Sequence, residues 1–312
     1  MSLSRRSLLA LGVLLAISGP ACFSHDYKNK PRVAVVDGDP VVQMAPEGKF
    51  SSLTDPRLVP LKQHNDPPFR DEKVLGVAPP RAEPARMYPI GLLDDNEVVN
   101  DEAGGIPYVV ARCALTDLST VLDRRVAGRT LTFENSGALW KDMLVMKDKE
   151  TGTYWNPATG RALTGPLEGE TLTVLPSSVT TAEAWRELYP STVCLETGKL
   201  SAVPLRLRLY AMSSWEGVSG EKTTDKRFEP KAQVFFVAGE AEALAFQGSR
   251  LREKRTIAAT LDGAPITLEW DAGVRAPRAW RPTAGAKEEI PVVPIYWFAL
   301  LEQYPTVRTL SD

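Results

Sequence analysis

The chain of 312 residues contains few of the side chains that most readily identify a metalloenzyme or a nucleic-acid-binding protein. It has 3 cysteines and 2 histidines, so the thiols and imidazoles that build most zinc and redox sites are scarce. Its 37 basic and 39 acidic residues leave a net charge of -2, which gives no electrostatic reason to expect a nucleic acid as partner. A chain of this length can bury a core without disulfides or a structural metal, and we predict no cofactor.

The sequence also lacks an apolar run long enough to span a membrane. The longest, Leu8 to Ile17, is broken only by Gly12 and is too short for a bilayer core of about 30 Å. Arg5 and Arg6 precede it and small residues follow it, a pattern typical of an export signal, which we place at residues 1–21. The arginine pair resembles a twin-arginine signal, and an ordinary secretory signal fits equally well.

Cys22 directly follows Ala21 at the end of this segment. This position resembles a bacterial lipobox, so lipidation of Cys22 and plain cleavage after Ala21 are both open. Both outcomes predict an exported protein, either periplasmic or a lipoprotein attached to the membrane through Cys22. The expected partner is an unidentified envelope ligand or protein, with membrane contact only through this anchor.

The 25 prolines disfavour long helices. Short β-prone runs alternate with glycine turns, which predicts a mostly β (α+β) fold of antiparallel hairpins with few short helices. We divide the chain into an N-terminal tether at residues 22–66, a first β-rich lobe at 67–212, a linker at 213–230 and a second lobe at 231–312. A capping box from Thr180 to Glu183 predicts one helix, and Pro294 suits the start of another.

Three blocks of the first lobe recur in the second. Ala85–Tyr88 corresponds to Ala243–Phe246, and the turn at residues 104–107 corresponds to that at 262–265, both at a spacing of 158 residues. The Tyr-Pro pairs at 189–190 and 304–305 end the two predicted helices. The order of these blocks predicts an internal duplication whose second copy is shortened.

Several short sequence motifs of the first lobe resemble those of a known family. They include Glu97–Asp101, the 104–107 turn, residues 121–124 and 131–133, Ser136-Gly137, residues 150–152 and 165–167, and the segment from Thr180 to Pro190. The chain is similar in these pieces to the domain of unknown function 3179 (DUF 3179) family of exported bacterial and archaeal proteins. The resemblance covers about residues 67–200 well and 228–309 weakly, and it implies no established activity.

This chain departs from the family at positions that could carry chemistry. Many members have a Trp-His pair before the Glu97–Asp101 stretch and a Cys-Pro-Leu-Cys run after the next strand, which could hold a soft metal or a redox pair. Here these read Asp95-Asn96 and Cys113 to Thr116, so such a site cannot form in that way. The two histidines, His25 and His64, lie in the predicted tether, where we expect them to be solvated.

The remaining candidates for catalysis are weak. Acidic residues crowd positions 94–102, which fits either a hard-cation or acid–base site or, as we favour, a solvated turn in which Asn100 and Asp101 accept backbone N–H groups. We name Glu97, Asn100, Asp101 and Cys113 as candidate catalytic residues and predict no metal site. Ser136 with Lys141 forms no recognisable nucleophile motif.

Two further residue types have competing interpretations. The seven tryptophans could line a ligand groove, although packing in the core is the commoner use. Cys113 and Cys194 could form a disulfide in an oxidising compartment, but we predict two separate buried thiols. The sequence as a whole favours a non-catalytic binding or scaffolding protein of the envelope. The alternative is a metal-dependent or redox enzyme with its site around Glu97–Asp101 and Cys113.

Overall fold

The computed structural model describes residues 27–78, 84–199 and 202–310. Strands predominate and pair mainly as antiparallel hairpins, with only short helices, which confirms the predicted mostly-β fold. Within these ranges no helix is both long and apolar enough to cross a membrane. The predicted export signal, Cys22 and His25 lie outside the described residues.

The strands and helices are as follows in chain order. The strands are β1 (Arg32–Val36), β2 (Asp39–Gln43), β3 (Ser52–Thr54), β4 (Leu58–Pro60), β5 (Lys73–Val77), β6 (Arg86–Pro89), β7 (Val98–Ala103), β8 (Ile106–Cys113), β9 (Leu118–Asp123), β10 (Arg125–Val126), β11 (Arg129–Thr130), β12 (Phe133–Trp140), β13 (Met143–Asp148), β14 (Tyr154–Trp155), β15 (Ala162–Thr164), β16 (Ser178–Thr181), β17 (Val193–Leu195), β18 (Gln233–Ala238), β19 (Ala243–Phe246), β20 (Thr256–Leu261), β21 (Ala264–Asp271), β22 (Ala276–Thr283), β23 (Ala286–Ile290), β24 (Val293–Tyr296) and β25 (Arg308–Thr309). The helices are α1 (Ile90–Leu93), α2 (Ala182–Leu188), α3 (Leu205–Met212), α4 (Gly248–Lys254) and α5 (Trp297–Gln303), with a 3₁₀ turn at Leu61–Gln63.

Residues 32–195, which include most of the predicted first lobe and part of the predicted tether, form three main sheets. Their strand orders are β1-β2-β12-β13-β14-β15, β16-β5-β6-β17-β4 and β3-β7-β8-β9. In the second of these, β5 pairs antiparallel with both β16 and β6, whereas β6 and β17 run parallel. Helix α2 joins β16 to β17, and this connection is long enough for the chain to return and pair in parallel.

The second lobe repeats part of this arrangement. Its sheet β24-β18-β19-β25 has the same strand order and directions as β16-β5-β6-β17, and α5 joins β24 to β25 as α2 joins β16 to β17. The hairpins β20-β21-β22 follow as β7-β8-β9 do in the first lobe.

The strand register links the two lobes residue by residue. The pair Ala103↔Ile106 closes the β7–β8 turn, and Leu261↔Ala264 closes the β20–β21 turn 158 residues later. The same spacing relates Val109↔Leu122 to Thr267↔Trp280 in the following hairpin. This correspondence supports the predicted duplication, which stays a prediction about ancestry.

Residues 32–60, which the sequence analysis assigned to the tether, contribute four strands to the body. Strand β2 pairs with β12, β3 pairs in parallel with β7, and β4 pairs with β17. Much of the predicted tether therefore consists of integral edge or near-edge strands. Proline at positions 40 and 60 is compatible with such places, because an edge strand can lose one ladder hydrogen bond.

Both predicted helices form, but each begins later than expected. Helix α2 has Thr181 as its N-cap, with the side-chain oxygen accepting the N–H of Ala184 at 3.3 Å. Thr180 instead lies in β16 and donates to the carbonyl of Val274. Helix α5 begins at Trp297, and Pro294 lies in β24. In each case the preceding residues are held in the sheet by strand pairing, so tertiary pairing overrides the local helix-start signal.

The largest core cluster crosses from one lobe to the other. It contains Phe133 and Trp155 of the first lobe together with Phe236 and Trp297 of the second. Phe133 and Trp155 meet edge to face with ring centroids 5.9 Å apart. Trp155, Trp185 and Trp297 are fully buried and Trp140 nearly so, which fits packing as the main use of these four indoles.

Candidate functional site

Asn100 is a buried hydrogen-bonding residue within strand β7 rather than a residue of a solvated turn. Its side-chain amide donates to the carbonyls of Leu53 and Phe133 at 3.0 and 2.8 Å and accepts the N–H of Phe133 at 2.8 Å. These contacts join β3, β7 and the start of β12. The turn expected here lies further on, at Gly104-Gly105, where both residues have positive φ.

Asp101 points to the other face of the same strand, where it meets two buried tyrosines. Tyr88 and Tyr108 donate to its Oδ2 at 2.5 and 3.2 Å, and their hydroxyl oxygens are 2.6 Å apart. The Nε of Arg86 lies 3.8 Å from the same oxygen. Burial raises the pKa of both tyrosines, so they stay protonated and act as donors. The prediction of a solvated turn is therefore wrong for Asp101 too.

Glu97 lies at the entrance to β7 and binds the side-chain amide of Asn135, which donates to Oε2. Burial raises the pKa of Glu97 to about 7, and the nearby charge of Asp94 adds to the rise while Asn135 opposes it. A carboxyl group with this pKa can exchange a proton at neutral pH. Of the four candidates, Glu97 has the protonation behaviour best suited to acid–base chemistry.

Cys113 lies at the end of β8, close enough to Glu97 for their charges to interact. Its sulfur accepts the N–H of Leu144 at 3.4 Å, and the side chain is buried. Burial, followed by the charge of Glu97, raises the pKa of this thiol. Cys194 is also buried and unpaired, and burial raises its pKa. The two separate buried thiols predicted from the sequence are confirmed, and neither has the lowered pKa of a reactive cysteine.

The four sequence candidates therefore do not converge on one point. Glu97 and Cys113 are neighbours, whereas Asn100 and Asp101 project to opposite faces of β7 and bind internal partners. No group of three or more His, Cys, Asp or Glu side chains suited to a metal ion occurs among the described residues.

Arg112, which the sequence analysis missed, is the centre of a buried ion network next to Glu97. Its guanidinium donates to Asp94 at 2.9 Å through Nε and to Asp117 at 2.7 Å through Nη1. Asp117 in turn accepts from Gln233 of the second lobe at 2.6 Å. Burial raises the pKa of Asp94 even though Arg112 opposes the effect. Asp94 was one of the crowded acids in the sequence, but it ends helix α1, and its basic partner lies 18 positions away on strand β8.

Two open clefts of similar size lie on the surface. One, of about 630 Å³, has the Asp94–Arg112–Asp117 network at its wall and Phe69, Leu207 and Tyr296 among its apolar residues. The other, of about 590 Å³, is lined by Tyr27 and by charged side chains from several segments, including Lys141, Asp142 and Glu302. Both volumes fall in the range of small-molecule sites.

His64, expected to be solvated, is buried instead. Its Nε2 lies 2.9 Å from the carbonyl oxygen of Leu195, and its Nδ1 accepts the N–H of Asp66 at 3.1 Å. The expectation was wrong because the segment carrying His64 packs beside β17. Both ring nitrogens are engaged with the backbone, so the imidazole secures this segment.

Comparison with known proteins identifies the family of the chain. A family described as a protein of unknown function (DUF3179) matches residues 47–293, which is most of the sequence. The chain belongs to this family, as the motifs of the first lobe indicated. No curated protein and no solved structure matches the chain.

Proposed function

We propose that this member of the family is an exported envelope protein that acts by binding or scaffolding rather than by catalysis. The observation that carries the proposal is the use made of the candidate side chains. Asn100 bonds only to backbone and a threonine hydroxyl, and Asp101 bonds to buried tyrosines and its neighbouring N–H. Side chains engaged in this way hold strands together.

The proposed location follows from the sequence of residues 1–22. Expression of the unaltered protein followed by cell fractionation tests this location. If Cys22 is lipidated, the protein is recovered with membranes, and Cys22→Ala moves it to the soluble envelope fraction. Recovery of the unaltered protein in the soluble envelope fraction would rule out the anchor, and recovery in the cytoplasm would rule out export.

Metal analysis of the protein purified from its native compartment tests the non-catalytic role. We expect no stoichiometric metal. Copper, iron, zinc or calcium at one equivalent per chain would overturn the proposal in favour of a metal-dependent activity.

The rival function, a redox or acid–base enzyme, is favoured by the proximity of Glu97 to Cys113 and by the near-neutral pKa of Glu97. Alkylation of the folded protein between pH 5 and 9 distinguishes the two. A thiol that reacts rapidly near pH 7, and slows in Glu97→Gln, would support the enzyme. Thiols that react only after unfolding would contradict it.

A further inference from the structure

Helix α3 exposes an apolar face to solvent. Leu205, Leu209 and Met212 lie at positions i, i+4 and i+7 and are 68%, 60% and 85% exposed. Residues at these spacings share one side of a helix, so the three side chains form a continuous stripe. The opposite side carries Tyr210, which is buried and donates to the carbonyl of Leu115 at 2.7 Å. The stripe therefore points away from the body.

The helix also borders a cleft that holds further exposed apolar side chains. Phe69, 77% exposed, and Val203 line the 630 Å³ cleft together with Leu207 and Arg208 of the helix. Single exposed apolar residues are common on protein surfaces, but a contiguous group marks an interaction site.

The charge of α3 indicates what covers this face. Arg206 and Arg208 are its two charged residues, both exposed, and they fall on opposite flanks of the stripe. Arg206 forms a loose ion pair with Asp95 at 3.8 Å, and its side chain is 69% exposed. Exposed apolar side chains between two guanidinium groups suit contact with a membrane surface, where guanidinium groups meet lipid phosphates.

The helix is also connected to the N-terminal end of the described chain. The N–H of Gly217 donates to the Tyr210 hydroxyl at 3.0 Å, and the next two N–H groups donate to Asp142. Asp142 lines the 590 Å³ cleft together with Tyr27, and its charge contributes to the raised pKa of Tyr27. Tyr27 is five residues after Cys22, a distance of at most about 17 Å in an extended chain. An acyl group on Cys22 would therefore be tethered near the 590 Å³ cleft.

We infer that α3 docks on an anionic membrane surface, with Leu205, Leu209 and Met212 in the acyl boundary and the two arginines at lipid phosphates. The inference deepens the proposed envelope role and rests on it only for which membrane is met in the cell.

Vesicle co-sedimentation of the mature chain carrying Cys22→Ala tests the inference without any acyl group. We expect binding to phosphatidylcholine vesicles that contain phosphatidylglycerol and much weaker binding to phosphatidylcholine alone. Changing Leu205, Leu209 and Met212 together to serine should weaken binding at least about tenfold, since three apolar side chains lose their burial. The matched control Val35→Ser, at an apolar residue 62% exposed on β1, should bind as before.

Arg206→Gln with Arg208→Gln should weaken binding to the anionic vesicles and reduce its salt sensitivity. Circular dichroism and denaturation check that each variant is folded. Equal binding by the stripe variant, or equal binding to both vesicle types, would overturn the inference. So would a dimer of the unaltered chain that the stripe variant abolishes, because the stripe would then be an interface between copies. A protein that proves not to be exported would overturn the proposed location and leave the vesicle result unchanged.

Discussion

The sheets β16-β5-β6-β17 and β24-β18-β19-β25 have the same strand order and directions but fill their interiors differently. Gly76 pairs with Met87 and Ser178, and Phe236 occupies the same register between Ala245 and Val293. A Cβ on Gly76 would lie 2.4 Å from the Trp185 ring. The helix position of Trp185 is occupied by Leu300 in the second lobe. The first lobe therefore has its large side chain, Trp185, on the helix, whereas the second lobe has its large side chain, Phe236, on the strand.

The hairpins that follow differ in polarity. The buried set Tyr88, Asp101 and Tyr108 of the first lobe corresponds in register to Phe246, Ala259 and Ile266 of the second. The strand framework forms with either set, so the fold does not require the polar cluster. Buried polar groups cost stability unless fully bonded, and the first lobe's cluster is therefore a property of that lobe alone.

The largest change in stability is expected at Arg112, whose ion network is a second polar feature of the first lobe. Arg112→Leu would leave the buried Asp94 and the partly buried Asp117 without their cation, and we expect a loss of about 3–5 kcal/mol in the free energy of unfolding. Chemical denaturation at pH 7 measures it. Arg129→Leu, at an exposed arginine on β11, is the control and should change stability by less than about 0.5 kcal/mol. A loss below about 1 kcal/mol at Arg112 would mean that the network does not stabilise the first lobe.

The next effect concerns the pH dependence of the first lobe. Because the pKa of Glu97 is raised from 4.5 to about 7 in the folded protein, the folded state binds more protons than the unfolded state between these values. Stability is therefore lost as pH rises from about 4.5 to 7, by about 3 kcal/mol when one pKa unit is about 1.4 kcal/mol.

Glu97→Gln removes this loss, so the variant should gain stability relative to the unaltered protein as pH rises. Denaturation curves at pH 5 and pH 8 measure the change. The corresponding second-lobe residue, Arg255, is exposed, and Arg255→Gln should leave the pH dependence unaltered. If Glu97→Gln has the same pH profile as the unaltered protein, the pKa of Glu97 is the same in the folded and unfolded states.

A smaller change in stability tests whether the large side chain lies on the helix in the first lobe because Gly76 leaves room for it. Gly76→Ala should cost about 1–3 kcal/mol, because the new methyl group overlaps the Trp185 ring and forces it aside. Combining it with Trp185→Leu, the second-lobe residue at that helix position, should cost less than the sum of the two single changes. Strict additivity in this cycle would contradict direct packing between the two positions.

The smallest effect is expected at the helix starts. Thr181 caps α2 through its side chain, whereas Tyr296 at the start of α5 makes no such bond. Thr181→Ala should lower the thermal midpoint in line with a loss of about 1 kcal/mol, and Thr181→Ser should retain most of the stability. If both variants lose the same amount, the methyl group of Thr181 rather than its hydroxyl is responsible.

The features that the sequence predicted are local ones. Glycine at positive φ marks the β7–β8 and β20–β21 turns, and a Tyr-Pro pair follows both long-range crossover helices. Such signals depend on a few neighbouring residues, so they can be recognised without knowing the partners. The family motifs consist mainly of the same turns and strands, which is why fold and family could both be inferred.

The features that it did not predict depend on distant contacts. Asn100 looked like a turn residue because nothing nearby indicates that its amide bonds to Phe133, 33 positions away. The sequence of the proline-rich segment before residue 60 does not indicate which strands this segment pairs with. Arg112 could not be matched to Asp94 and Asp117 until the topology placed β8 beside them.

The position of β4 has a consequence for the order of folding. Val59 pairs with Cys194, about 135 residues later, and Val42 of β2 pairs with Leu139 almost 100 residues later. Contacts between residues so far apart form slowly, because the intervening chain must lose its freedom before the pairing contributes. The outer edges of these early strands therefore stay unpaired until β12 and β17 are available to them. In that interval the shortness of these strands, and the proline and charged residues between them, limit association with other chains.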